Sequence, residues 1–307
     1  MSKNIPLRYT NEEAARKHLE KLQWPDGPIC PHCGVIDRAS SIKGGRKGLL
    51  FCNACRMQFT VTVGTVFERS KIPLHTWLYA NHLLCSSKKG ISSHQLSRML
   101  GVTYKTAWFM AHRIREAMRP LKTCPLGGEG KTVEIDETYI GGKDKNKHAS
   151  KRKGRGGMDK EIAFALVERS GNVRSHHVPT VTAKTLRPIL KEQIQADSTV
   201  MSDDGGSRLG KEFAKHATVN HSIGEYVRGD VHTNTVEGYF SILKRGITGT
   251  YHHVSPQHLK RYLAEFDFRY NERSALGVND ETRADTALMN VRGKRLTYGS
   301  TDKIRAI

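Results

Sequence analysis

The spacing of apolar residues along the chain changes period twice, and each change marks a new kind of element. Over residues 10–23, Ala14, Ala15, Leu19 and Leu22 recur at the helical period, which predicts an amphipathic helix. Thr10 and Glu13 have capping-box spacing at its start, and Trp24-Pro25-Asp26-Gly27-Pro28 stops it. Residues 70–119 read as three more helices. The first covers 74–84, the second is capped by Ser92 or Ser93 and stops at Gly101, and the third is capped by Thr103 and covers 104–118. From Lys131 the period drops to two: residues 132–140 alternate as a strand, with further strands over 162–168, 173–178, 198–202 and 217–222. A helix over 182–195 separates the third strand from the fourth. Residues 235–245 return to the helical period and should end at Gly246. Ser255 then caps a last helix, with Pro256 in its first position and Leu259, Tyr262, Leu263, Phe266 and Tyr270 on its core face.

These runs predict a multidomain α/β chain. An N-terminal helical segment covers 1–28, a cysteine-bearing module 29–64, a helical domain 65–120, a Pro- and Gly-rich linker 121–130, a mixed α/β domain 131–275 and a basic tail 276–307. Charge adds the partner: Lys and Arg exceed Asp and Glu by enough to leave a net +20, so a polyanion, nucleic acid foremost, is expected. Part of the excess lies between the first two strands, where Lys151, Arg152, Lys153 and Arg155 stand almost without apolar neighbours and are expected to meet phosphate backbones. The tail carries Arg283, Arg292, Lys294, Arg295, Lys303 and Arg305, candidates for further DNA contact. No run approaches the ~20 apolar residues of a membrane helix, and residues 1–10 lack the apolar core of a secretory signal. A cytoplasmic chain without a membrane partner is expected.

Cys30-Pro31-His32-Cys33 and Cys52-Asn53-Ala54-Cys55 carry the first chemistry. A two-residue gap lets both thiolates of a knuckle turn to one ion, and two knuckles close a tetrahedral site. Four thiolates leave no open position, so the ion expected is a structural zinc, with His32 a bystander. This zinc ribbon is either a DNA- or protein-contacting module or a stabilising staple. The following helices fit helix-turn-helix logic: a short apolar helix, a glycine turn, then a helix with a polar start. In that geometry Thr103, Tyr104, Lys105 and Thr106 reach base edges; a plain helical bundle is the alternative.

The second chemistry is acidic. Phosphoryl transfer on DNA uses two divalent ions about 3.5–4 Å apart, held by acids that converge from different elements. Asp136 lies within the first strand, on the face opposite Val133 and Ile135, with Glu137 turned away. Asp203 follows the fourth strand, with Asp204 competing for its role. Glu237 stands near the start of the helix at 235–245, with Asn234 one turn before it. Lys244, two turns beyond Glu237, shares its face and suits a phosphate; Arg245 follows it.

At these residues the chain resembles bacterial insertion-sequence transposases of the zinc-ribbon, DDE type. The resemblance runs through both cysteine pairs, Ile135-Asp-Glu-Thr-Tyr-Ile-Gly-Gly-Lys143, Ser202-Asp-Asp-Gly205 and His232-Thr-Asn-Thr-Val-Glu237. It continues through Lys244-Arg-Gly-Ile-Thr-Gly-Thr-Tyr-His-His253 and Phe266-Asp-Phe-Arg-Tyr-Asn-Glu-Arg273. It implies an RNase H-like catalytic domain over 131–275, a mixed five-stranded sheet flanked by helices. It implies Asp136, Asp203 and Glu237 as the acidic triad holding magnesium or manganese, with Lys244 as the trailing base. Some relatives carry Asn in place of the last acid, so Asn234 and Glu237 both stand as third ligand. The implied activity is binding of terminal inverted repeats by a homo-oligomer on double-stranded DNA, cleavage of the ends and transfer of the 3′-hydroxyls to target DNA. The alternative is a catalytically inactive, sequence-specific DNA-binding regulator derived from such a protein.

Overall fold

The computed structural model describes residues 5–121, 123–142, 148, 150, 160–203, 213, 215–219, 223–225 and 227–297. They form two compact units, Met1–Ser87 with Ile91–Pro120 and Asn279–Ile307, and Lys88–Gly90 with Leu121–Val278.

In the first unit a 3₁₀ turn, Leu7–Tyr9, leads into α1, Glu12–Gln23. The cap is Asn11, which accepts from the Ala14 N–H, and not the expected Thr10. Thr10 is already engaged in closing the preceding turn onto the Leu7 carbonyl, which moves the helix start one residue on. Three short antiparallel strands follow in the order β1 (Ala39–Ser41), β2 (Leu50–Cys52) and β3 (Gln58–Phe59). Then come α2 (Leu74–Ser86), α3 (Ser93–Leu100) and α4 (Tyr104–Met118). Ser92 caps α3, Gly101 ends it at φ +65°, and Thr103 caps α4, as the pattern predicts.

Residues 276–297 are not an open basic tail. They contribute α8, Asp280–Met289, which packs against α2 and α1. Asn81 donates to the Ala284 carbonyl, Arg283 to the Cys85 carbonyl and Gln23 to the Leu288 carbonyl. Lys294 reaches the carbonyls of Ala117 and Arg119 at the end of α4, where a cation satisfies orphan acceptors. Arg283 and Lys294 thus serve the unit's own packing. Lys303 and Arg305 lie outside the described residues.

The second unit is built on a five-stranded sheet in the order β6-β5-β4-β7-β8: β4 is Thr132–Ile140, β5 Glu161–Glu168, β6 Val173–Val178, β7 Thr199–Asp203 and β8 Lys215–Val219. Pairing is antiparallel on the β5–β6 side of β4 and parallel on the β7–β8 side, giving the mixed sheet that the resemblance implies. Alternation along β4 serves both faces. Val133 and Ile135 join Phe164, Leu166 and Val200 under Leu186 and Leu190 of α5 (Ala183–Gln193). On the other face, Ala163, Ala165 and Val167 pack under α6 (Asn234–Gly246) and α7 (Pro256–Asn271). A short hairpin, β9 (Val227–Arg228) and β10 (Val231–His232), precedes α6.

Two expectations need correcting. Within the stretch expected as a linker, residues 126–128 pack into this unit: Leu126 is buried in the α5-side core, donates to the Gln193 carbonyl and accepts from the Gln195 N–H. The helical path also does not break at Gly246, the last residue of α6. That residue keeps right-handed helical angles, and the helix runs into a π turn, Ile247–Tyr251. Gly246 is there for close approach: a Cβ would come within 2.7 Å of Phe266 Cε1 on α7.

Candidate functional site

The two cysteine knuckles are built alike. The Cys30 carbonyl accepts from the Gly34 N–H at 2.9 Å, and the Cys52 carbonyl from the Arg56 N–H at 2.9 Å. Each loop turns back through a left-handed residue after its second cysteine, Gly34 at φ +76° and Arg56 at φ +60°. The four sulfurs lie within 4.8 Å of one another, with Cys30–Cys55 at 3.6 Å and Cys33–Cys52 at 3.7 Å. Zinc bonds of about 2.3 Å in a tetrahedron place sulfurs about 3.8 Å apart, so this donor set fits a zinc ion. Backbone N–H groups, that of Cys55 first, draw the Cys52 thiol down to about 7. At Cys55 the pull of the Met57 N–H is outweighed by burial and by the hydrogen bonds of Cys30, Cys33 and Cys52, which push its thiol up to about 12. The sulfurs thus share protons that a metal ion would displace.

At the start of α4 the four residues expected to face DNA divide by role. Thr103 and Thr106 are joined hydroxyl to hydroxyl at 2.9 Å, and Thr103 also takes the Thr106 N–H, so both are engaged in capping. Tyr104 and Lys105 are exposed, and Tyr104 stacks on His94 of α3 with centroids 4.2 Å apart.

The acids gather where β4 and β7 run side by side. Their pairing ends with Ile135 opposite Ser202, so the next residues, Asp136 and Asp203, leave the ladder as neighbours. Asp136 accepts from the Glu137 N–H at 2.7 Å. Burial pushes its carboxyl up to about 7, and the negative charges of Asp203, Glu137 and Glu237 add to that shift. Glu137, expected to face away, is raised too, by burial first and then by Asp203. Glu237 comes from the first turn of α6 and accepts from the Thr233 hydroxyl at 3.1 Å. The negative charges that raise the Asp136 carboxyl leave the site short of positive charge, which a divalent cation corrects. Among the described residues only the four cysteines draw their ligand atoms within 4.8 Å; the carboxylates share a face without that convergence.

Asn234 opens α6 and is exposed, its N–H directed to His232 Nδ1 at 3.4 Å. Lys244 is exposed further along the helix, while Arg245 folds back onto Ser241. Lys151, Arg152, Lys153 and Arg155, with Asp204, lie outside the described residues.

Three side chains beside this site escape the sequence pattern. Glu134 is fully buried on β4 and bonds to the first turn of α6. Its signal was present, since alternation puts Glu134 and Asp136 on one face, but alternation does not say what that face meets. Asp267 and Asn271, one turn apart on α7, pin the edge strand β6. Asp267 accepts from the Ser175 N–H and hydroxyl and from the Tyr239 hydroxyl, and Asn271 brackets the Val173 N–H and carbonyl.

A four-cysteine ribbon in one chain with a mixed sheet that carries Asp136 and Asp203 on neighbouring parallel strands is the arrangement expected of the class of DNA transposases. More narrowly, the chain belongs to the ISXO2-like transposases. Residues 125–271 match the ISXO2-like transposase domain, and residues 10–58 match the transposase zinc-ribbon domain. A protein of the transposable element ISH50 in Halobacterium salinarum is 30% identical over 288 residues, covering 86% of this chain and 93% of that protein. A transposase-like protein of Haemophilus influenzae is 26% identical over 125 residues, 40% of this chain and 91% of its own length. Among the described residues no helix is long and apolar enough to cross a membrane.

Proposed function

We propose that the chain binds the terminal inverted repeats of its own element, cuts the DNA at the element's ends and joins the freed 3′-hydroxyls to target DNA. What supports this reading is that Asp136 and Asp203 follow the last paired residues of neighbouring parallel strands, while Glu237 comes from the first turn of a helix packed on β4 and its charge, like that of Asp203, raises the Asp136 carboxyl. Magnesium or manganese bound there would supply the Lewis acidity that phosphoryl transfer requires. Asp136 and Asp203 hold from the sheet side and Glu237 from the helix side; Asn234, at the exposed start of the same helix, is the alternative third ligand. Lys244, on Glu237's face, neutralises a phosphate of the strand being cut. Tyr104 and Lys105 read base edges, and Lys151, Arg152, Lys153, Arg155 and Arg245 engage the backbone. Zinc on Cys30, Cys33, Cys52 and Cys55 is structural. Joining two ends at one target calls for at least two protomers.

The test is cleavage of a labelled duplex carrying the element's end, in magnesium, beside Asp203→Ala. Nicking at the element boundary is expected from the wild type, with a loss of at least about a hundredfold in the variant. Sequence-specific binding without cutting in magnesium or manganese would instead mark an inactive regulator.

A further inference from the structure

Helix α6 has no cap of its own: Thr233 occupies the capping position but offers its side chain to none of the first-turn N–H groups. The missing acceptor comes from a hundred residues away. Glu134, 0% exposed on β4, takes the Thr235 N–H at 2.8 Å and the Val236 N–H at 3.0 Å, the two donors a local cap would serve. It also accepts from the Thr235 hydroxyl at 2.8 Å and from Arg169 Nε at 2.7 Å. Arg169 extends the tie, donating to the carbonyls of Asp230 and His232 just ahead of α6 and, through its own N–H, to the Thr132 carbonyl at the start of β4.

A buried carboxylate is costly unless its charge and lone pairs are met, and here they are met completely. Capping alone would not require it, because a threonine already stands at the capping position. What a remote carboxylate adds is a rigid join between strand and helix. Glu134 and Asp136 are two residues apart on one face of β4, and Val236 immediately precedes Glu237. We propose that Glu134, clamped by Arg169, is a positioning residue that fixes the separation of Asp136 and Glu237 and touches neither ion nor DNA. This rests on the carboxylate reading given above.

The test uses the zinc-loaded full chain and Mn²⁺ alone, followed by electron paramagnetic resonance, beside amide exchange of α6. In Glu134→Gln, the Thr235 and Val236 amides should exchange faster while the later turns keep their protection. Mn²⁺ affinity should fall about ten- to a hundredfold, the usual effect of losing a group that orients a ligand. Should that variant not fold, Glu134→Gln with Arg169→Met removes both charges together and leaves no unpaired ion, and the same loss is expected. A loosened first turn with unchanged Mn²⁺ affinity, in either variant, would overturn the proposal. If wild type and Asp136→Asn bind Mn²⁺ alike, the carboxylate site itself is refuted, whatever the exchange shows.

Discussion

Asp267 shows at the residue scale how a sequence motif acquires a physical reason. Within Phe266-Asp-Phe-Arg-Tyr-Asn-Glu-Arg273 it marks a family resemblance; in the fold it fastens α7 to β6 through Ser175. Burial pushes its carboxyl up to about 6, against the pull of its hydrogen bonds to Ser175 and Tyr239. Its unfolded value is near 3.9, so between about pH 4 and pH 6 the native state holds the proton more tightly than the unfolded chain. Stability due to this group is therefore present below that window and declines as pH rises through it. Relative to Asp267→Asn, which does not titrate, the wild type should lose about 2 kcal/mol of unfolding free energy from pH 4 to pH 7. Urea titrations at a series of pH values measure this, and a difference that stays flat would show that the carboxyl does not carry the raised affinity. The cysteines stand at the opposite pole of legibility. Their spacing alone predicts that the four sulfurs come together, as they do, because a two-residue gap constrains the knuckle locally.

At the element scale, α6 is where local signals and the fold part company. Its glycine looked like a terminator, since Gly commonly follows a helix end. Yet Gly246 is kept right-handed and buried against Phe266, and the chain continues through a π turn to His252 at φ +59°. Both uses of glycine exploit the missing side chain, and only the neighbour across the helix pair tells them apart. Gly246→Ala gains helix propensity but must displace an aromatic ring. The net expectation is a loss of about 1–2 kcal/mol, read from the shift in urea midpoint. Unchanged or increased stability would show that the ring yields freely. Strand β4, by contrast, keeps the expected alternation, Val133 and Ile135 entering one core and Ile140 the other, because the period of two is imposed by the pleat.

On the scale of the whole molecule the charge is the main lever. On the proposed reading, a net +20 opposed to a phosphate backbone would make association dominated by release of counterions. Binding of an element-end duplex should weaken by about a thousandfold or more between 50 and 200 mM salt. Fluorescence anisotropy across that range checks it, and a shallow slope would mean that few of these cations meet phosphate. The excess is not all available: Arg283 and Lys294 are engaged within the first unit, so a count of basic residues overstates the DNA-facing charge.

The sequence by itself determined the four-cysteine cluster, the main strands and helices of the sheet unit, and the placing of Asp136 and Asp203 on two of its strands. Each of these follows from spacing within a short stretch or from the period of one element. Tertiary structure alone decided that Leu126 packs into the sheet unit, that α8 completes the first unit, and that α6 borrows its cap from Glu134. Those outcomes depend on which distant surfaces meet, and a residue's partner across a hundred positions leaves no periodic trace in the chain.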